Sequence, residues 1–108
     1  MCGVNGVFWY RGGQADAALV RSQACVQRHR GPDDAAVWAD GPVALGHRRL
    51  AVVDLSPGGR QPMANEDGSV HVVYNGELYN WPEVMPGLAA RGHRFRDASD
   101  TEMLLHLW

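Results

Sequence analysis

Residues 33–54, DDAAVWADGPVALGHRRLAVVD, decide the fold, because they place two apolar segments on either side of a glycine and a proline. The first segment, 33–40, predicts a short strand, and the second, 43–54, predicts a longer one. Gly41 and Pro42 favour a tight turn between them. The two strands are therefore predicted to pair in an antiparallel sheet.

Apolar spacing also predicts the elements around this hairpin. Residues 3–10 contain a Val-Phe-Trp-Tyr run that predicts a strand, and residues 14–29 carry apolar side chains at i, i+3 and i+4, which predicts a helix. Asp67 and Gly68 form a strong hairpin signal, which leads into a predicted strand over 69–74. Helices and strands thus alternate along one continuous domain.

Capping patterns predict two further helices. Asn80 and Glu83 have the spacing of a capping box, and residues 99–102, SDTE, form a complete one. Pro86 removes a hydrogen bond from the first of these helices and is predicted to kink or restart it. A brief strand is predicted over 93–95.

The composition is that of one globular domain. The chain has 108 residues, of which 45% are apolar and 20% are charged, and this length supports a single modest core. The net charge of −2 gives no basic excess, so neither nucleic acid nor an anionic membrane is an expected partner. With no signal peptide pattern and no long apolar run, a cytoplasmic protein is expected.

Cys2 carries the first chemical signal, because it directly follows Met1. Removal of the methionine would leave a thiol and a free α-amine on one residue, which combines a nucleophile with its base. An isolated Met-Cys start is more often an ordinary small apolar residue that begins a strand. Cys25 is expected to be buried and inert. The histidines lack zinc-site spacing, so no metal site is predicted and they are taken as structural: His29, His47, His71, His93 and His106.

Three other features each allow a structural and a functional interpretation. Arg49 follows another arginine on a strand, so one of the two must face inward or meet an anion, unless it lies on an exposed edge. Asn75 and Gly76 fit a type I′ turn, or else an oxyanion hole formed by an Asn amide and a Gly N–H. Asp100 fits a helix cap, or a carboxylate that holds a substrate ammonium group.

Taken together, five motifs resemble the class II glutamine amidotransferases of the asparagine-synthetase type. They are MCG at 1–3, RHRGPD at 28–33, GHRRLAVVDLSPGGRQPM at 46–63, YNGELYN at 74–80 and SDTE at 99–102. The resemblance covers essentially the whole chain. Asn5 and the Pro86-Gly87 pair depart from the family pattern, and local packing is expected to differ there.

The resemblance implies a role for each matching position. Cys2 is similar to the family nucleophile that attacks the glutamine carboxamide, with its own amine as the base. The matching catalytic residues are Asn75 and Gly76, as the oxyanion hole. The matching substrate-binding residues are Arg49 for the α-carboxylate, Glu77 and Asp100 for the amino end, and Leu50 to Val53 for the pocket lining.

The resemblance also implies a fold and partners. It implies an α+β fold that forms part of the four-layer α/β/β/α sandwich of N-terminal nucleophile hydrolases, with mostly antiparallel sheets. Residues 1–108 would be a type-2 glutamine amidotransferase domain that is incomplete at its C-terminal end. No cofactor is expected in this chain, while ATP and Mg are expected only for a synthetase domain outside it.

Two further interpretations belong to other functional classes. A catalytically inactive, truncated amidotransferase could act as a binding or assembly module, in which case a second copy or another polypeptide would cover its exposed apolar faces. A metal-binding or redox domain would use Cys2 and Cys25, but two cysteines without ligand spacing give it little support.

Overall fold

The computed structural model describes residues 1–52 and 57–108. The strands and helices, in chain order, are β1 (Gly3–Phe8), α1 (Ala17–Val26), β2 (Asp34–Asp40), β3 (Val43–Arg49), β4 (Met63–Ala64), β5 (His71–Val72), α2 (Trp81–Ala90) and α3 (Asp100–Leu107). Short 3-10 turns occupy Gln27–His29 and Pro57–Gly59.

β3 is the central strand of the larger sheet, which has the order β1-β3-β2 and is antiparallel throughout. Asp40 pairs with Val43 across the glycine–proline turn, which confirms the predicted hairpin. The strand ends at Arg49, so the predicted extension over residues 50–52 is wrong, and the rest of that extension, residues 53 and 54, lies outside the described residues. Neither neighbouring strand reaches beyond this point, because β2 begins at Asp34, opposite Arg49, and β1 begins at Gly3, opposite Arg48.

α1 packs on one face of this sheet and buries Val20 and Ala24. The helix lies very close to β3, since a Cβ added to Gly46 would come within 2.8 Å of the Val20 side chain. Asn5 donates a hydrogen bond of 2.8 Å to the Val20 carbonyl and so ties β1 to the helix. Cys25 is exposed, so its predicted burial is wrong. It follows Ala24 directly and is turned about 100° away from the buried face.

α1 is shorter than the predicted helix over 14–29. Its N-cap is Asp16, whose carboxylate accepts a hydrogen bond of 2.7 Å from the Ala18 N–H. The regular helix ends at Val26 and continues only as a 3-10 turn. β1 is likewise shorter than predicted and ends at Phe8.

β4 and β5 form the second hairpin, at the predicted Asp67-Gly68 turn. The Gly68 N–H donates to the Asn65 carbonyl at 3.3 Å, and Gly68 has a φ of 75°, a conformation that favours glycine. The predicted strand over 69–74 is reduced to His71–Val72, because the opposing strand offers only two residues for pairing.

α2 differs from its prediction at two residues, Pro86 and the N-cap residue Asn80. The helix runs through Pro86 to Ala90, so the predicted restart at Pro86 is wrong. The proline removes one backbone donor without ending the helix. Asn80 makes no side-chain capping bond, so the first capping box is also wrong. Gly92 follows the helix with a φ of 96°, as predicted for its end.

α3 begins as predicted, with the Ser99 hydroxyl accepting a hydrogen bond of 3.1 Å from the Glu102 N–H. The Glu102 carboxylate does not return to Ser99. It accepts instead from the backbone N–H groups of Arg96 and Asp97, each at 2.8 Å. Burial acts to raise the pKa of Glu102, but these hydrogen bonds outweigh it and lower that pKa. The strand predicted over 93–95 does not form.

The core and the surface agree with an α+β domain. Among the described residues, the buried apolar side chains are Val20, Ala24, Ala44, Met63, Leu88, Met103 and Leu105. On the sheet face opposite α1, Trp38 stacks on His71 at 3.9 Å, whereas Phe8 stays 64% exposed. The mixed helices and antiparallel sheets confirm the predicted fold class and are compatible with an N-terminal nucleophile hydrolase fold. Among the described residues, none of the helices has the length and apolar character needed to cross a membrane.

Candidate functional site

An open cleft of about 600 Å³ lies where four parts of the chain meet. These are the residues before β1, the end of β3, the loop from β5 to α2, and the start of α3. Seven of the eight predicted site residues line it: Cys2, Arg49, Leu50, Asn75, Gly76, Glu77 and Asp100. The eighth, Val53, lies outside the described residues.

Cys2 is half-buried at the edge of the cleft, beside the residue that follows β3. Its sulfur accepts a hydrogen bond from the Leu50 N–H at 3.4 Å. The sheet register explains this position, because Gly3 pairs with Arg48, so Cys2 comes opposite Arg49 and close to the following Leu50. The Cys2 carbonyl also accepts from the Arg30 side chain at 3.2 Å. The strand pairing therefore fixes the thiol at the cleft.

The Asn75-Gly76 segment is not a type I′ turn, since neither residue has a positive φ, and such a turn requires one at both positions. The glycine is needed for another reason. A Cβ added to Gly76 would lie 2.7 Å from the hydroxyl of Tyr74. Both residues are exposed to the cleft, so the Asn75 side-chain amide and the Gly76 N–H are available to a bound molecule.

Two hydrogen-bonded contacts hold this loop against α3. The Leu78 N–H donates to the Asp100 carboxylate at 3.0 Å. Gln61 makes the second contact, because its Oε1 accepts from the Tyr74 N–H and its Nε2 donates to the Thr101 hydroxyl at 3.1 Å. Gln61 is 7% exposed and also lines the cleft. It was not among the predicted site residues, and its only signal was its place within the GRQPM end of a motif.

Charges of opposite sign line the cleft. Arg49 lies half-buried at the end of β3, and the carboxylates of Glu77 and Asp100 lie on the loop and at the start of α3. Burial and these two negative charges raise the pKa of Tyr74. A hydrogen bond to Glu77 raises the pKa of Tyr79. Both phenols therefore stay protonated near neutral pH and can act as donors.

The two cysteines lie in different parts of the structure. Cys25 lies exposed on α1 and does not line the cleft with Cys2. Both are free thiols. A paired-cysteine redox or metal site therefore receives no support from the structure. Among the described residues, one other group of side chains is close enough to share a metal ion, and it consists of Glu66, His93 and His106.

His47 was predicted to be structural, and it lies buried in the wall of the cleft with 1% exposure. Its Nε2 has no hydrogen-bond partner among the described residues. Burial lowers the pKa of His47 from its usual 6.5, although a hydrogen bond with the Tyr74 backbone acts in the opposite direction. The neutral imidazole is therefore the form that fits the folded chain.

We expect His47 to make stability fall as the pH falls. Its pKa is lower in the folded chain, so the unfolded chain takes up the proton first, below 6.5, and protonation then favours unfolding. The free energy of unfolding, measured by urea titration between about pH 8 and pH 5, should fall less in His47→Leu than in the wild type. His29→Ala, which changes an exposed histidine, serves as the control. Equal pH profiles for the wild type and His47→Leu would contradict this origin.

Comparison with known proteins matches the whole chain. A family model described as the glutamine amidotransferase domain matches residues 1–108. Asparagine synthetase [glutamine-hydrolyzing] 3 of Bacillus subtilis is 44% identical over 98% of this chain and 18% of its own length. The Oryza sativa enzyme 2 and the Arabidopsis thaliana enzyme 1 of the same name are 40% and 39% identical over 100% of this chain. The chain thus spans about a fifth of the length of these relatives, 18% in each case. It belongs to the glutamine amidotransferase domain family.

Proposed function

We propose that this chain carries the glutamine-hydrolysing site of an amidotransferase, with Cys2 as the nucleophile. The observation that supports this most is the single cleft in which a thiol, an Asn-Gly pair, one arginine and two carboxylates converge. Free glutamine has the matching groups, namely a carboxamide at the end of the side chain and both a carboxylate and an ammonium group on the α-carbon.

The proposed reaction begins after removal of Met1. The α-amine of Cys2 takes up the thiol proton, and the thiolate attacks the carboxamide carbon of glutamine. The oxygen of the tetrahedral intermediate accepts hydrogen bonds from the Asn75 side chain and the Gly76 N–H. The α-ammonium group of Cys2 then gives its proton to the departing carboxamide nitrogen, so ammonia leaves and a thioester between Cys2 and the substrate forms. Water hydrolyses this thioester to glutamate and regenerates the thiol.

Substrate recognition in this proposal uses the two charged groups on the α-carbon of glutamine. Arg49 pairs with the α-carboxylate, for which a guanidinium group is well suited. Glu77 and Asp100 receive the ammonium group. Leu50 lines the same pocket. A glutamine residue within a peptide lacks both charges, so the site would favour the free amino acid.

The names and lengths of the relatives support a proposal for what happens to the ammonia. They are named asparagine synthetases, and most of their length lies outside the region that this chain matches. We propose that the ammonia passes to a synthetase domain that uses ATP and Mg, either in the same polypeptide or in a partner. A cytoplasmic location would keep the Cys2 thiol reduced.

An assembly role is the second candidate, and it depends on the apolar surface. Val4 and Phe8 on β1 are 40% and 64% exposed on the sheet face opposite α1. In a four-layer sandwich, a second sheet covers this face. We propose that the rest of the amidotransferase fold, or a second polypeptide, does so here.

Replacing Cys2 tests the proposed function directly. Cys2→Ala should reduce glutamine hydrolysis, measured as glutamate release, by at least about 10³-fold, because it removes the nucleophile. Cys25→Ala is the matched control and should keep wild-type activity, since Cys25 is exposed and outside the cleft. An uncleavable N-terminal extension should abolish activity as well, because it converts the amine into an amide. Activity in the extended protein would exclude the α-amine as the base.

Replacing Arg49 tests the recognition of the α-carboxylate. Arg49→Leu should raise KM for glutamine, because the carboxylate loses its ionic partner. Hydrogen bonds to charged groups contribute about 1.5–3 kcal/mol, which corresponds to a roughly 10- to 150-fold change in KM. Arg21→Leu, on the exposed surface of α1, is the control. An unchanged KM in Arg49→Leu would remove Arg49 from the substrate site.

Replacing Gln61 tests whether the loop and α3 must stay joined. Gln61→Ala removes both hydrogen bonds and frees the segment that carries Asn75 from the helix that carries Asp100. We expect a lower kcat, because the oxyanion donors move, together with a higher KM. The combined loss in kcat/KM should reach about 10- to 100-fold. Gln14→Ala, an exposed change, is the control. Circular dichroism at the assay temperature must show folded protein, and an unaltered kcat/KM in folded Gln61→Ala would contradict this role.

A further inference from the structure

We propose that Glu66, His93 and His106 form a binding site for a zinc ion, separate from the cleft. The three residues come from distant parts of the chain, namely the turn between β4 and β5, the segment after α2, and the last turn of α3. None of them lines the cleft. The proposal is therefore independent of glutamine hydrolysis. It replaces the expectation of no metal site, which rested on sequence spacing alone.

The distances between the ligand atoms suit one small cation. One atom from each residue lies within 4.8 Å of the other two. The two Nδ1 atoms of His93 and His106 are 3.0 Å apart, and the His106 Nδ1 is 3.6 Å from the Glu66 carboxylate. Zinc binds nitrogen and oxygen at about 2.0–2.2 Å, so the ligand atoms of a tetrahedral site lie roughly 3.4 Å apart. A shift of about 1–1.5 Å by the half-exposed Glu66 side chain would complete the set.

The surroundings of His106 support metal binding by its Nδ1. The ring is 4% exposed, and its Nε2 lies 3.6 Å from the buried Glu102 carboxylate. That carboxylate is itself held by two backbone N–H groups. A carboxylate beside one ring nitrogen favours the N–H there and leaves the other nitrogen with its lone pair. In His106 that lone pair points to the side where His93 and Glu66 lie.

The other two ligands are also positioned by neighbours. The Arg94 N–H donates to the Glu66 carboxylate at 2.7 Å, which directs that side chain toward the histidines. The Phe95 ring lies 4.3 Å from the His106 ring and forms an apolar wall. Glu66 and His93 remain partly exposed, so a water molecule can supply a fourth ligand. Two imidazoles and one carboxylate favour zinc over magnesium or calcium, which prefer oxygen ligands alone.

The competing arrangement is a histidine pair without metal. Two Nδ1 atoms at 3.0 Å can share one proton as a hydrogen bond, and Glu66 would then be an ordinary exposed carboxylate. The two arrangements differ in their requirement for Glu66. A zinc ion needs the carboxylate as a ligand, whereas the hydrogen bond between the rings does not.

Metal titration of the purified, chelator-treated protein tests the site. With Co²⁺ as a spectroscopic substitute, we expect visible absorption bands that saturate at one equivalent, and with Zn²⁺ we expect a rise in Tm. Glu66→Gln and His93→Ala should each weaken binding at least about tenfold. These two positions are partly exposed and are chosen because replacing the buried His106 could unfold the chain. His29→Ala, an exposed histidine outside the cluster, should bind as the wild type does.

Three outcomes would overturn the proposal. The first is the absence of Co²⁺ bands and of any Zn²⁺ effect on Tm in the wild type. The second is undiminished binding by Glu66→Gln and His93→Ala, which would place the metal elsewhere on the chain. Retained binding in Glu66→Gln with loss in His93→Ala would likewise remove the three-ligand site, since it would leave no role for the carboxylate.

Discussion

The antiparallel pairing of β3 with both of its neighbours is the constraint on which the candidate site depends. Because Gly3 lies opposite Arg48, the same register places Cys2 opposite Arg49, the last residue of β3, and the N–H of the following Leu50 donates to the Cys2 sulfur. The same strand ends at Arg49, where both partner strands have run out. A slip of one residue in this register would turn alternate side chains to the other face of the sheet and carry the thiol away from Leu50.

The opposite wall of the cleft depends on polar contacts more than on regular structure. β4 and β5 pair over two residues each, which is too little to hold a long loop in place by itself. Gln61 and Asp100 supply the missing constraint, since each accepts a backbone N–H from the segment between β5 and α2. Burial strengthens the Gln61 contact, because breaking it would leave the buried side-chain amide without a hydrogen-bond partner.

The sequence predicted local features more reliably than contacts between distant segments. The hairpin of β2 and β3, the Asp67-Gly68 turn and the Ser99 cap follow from neighbouring residues and are present. The predictions for Pro86 and Cys25 failed because tertiary packing decides whether a helix survives a proline and which face it buries. The candidate site residues came from motif resemblance, and seven of them meet in one cleft. The sequence did not predict the role of Gln61 or the cluster of Glu66, His93 and His106, because only folding brings these residues next to their partners.

Asp100 shows why the architecture of α3 and the chemistry of the cleft are inseparable. It is the first residue of α3, where the helix dipole favours a negative charge. One of its oxygens accepts the Leu78 N–H, which fixes the side chain. The second oxygen remains for a ligand and, among the described residues, is shared only with the Thr101 hydroxyl, at 3.4 Å. A cation bound there would complete the hydrogen bonding of a carboxylate whose position is already set, so little conformational entropy would be lost on binding. The same bond that shapes the loop thus prepares the charge that would recognise an ammonium group.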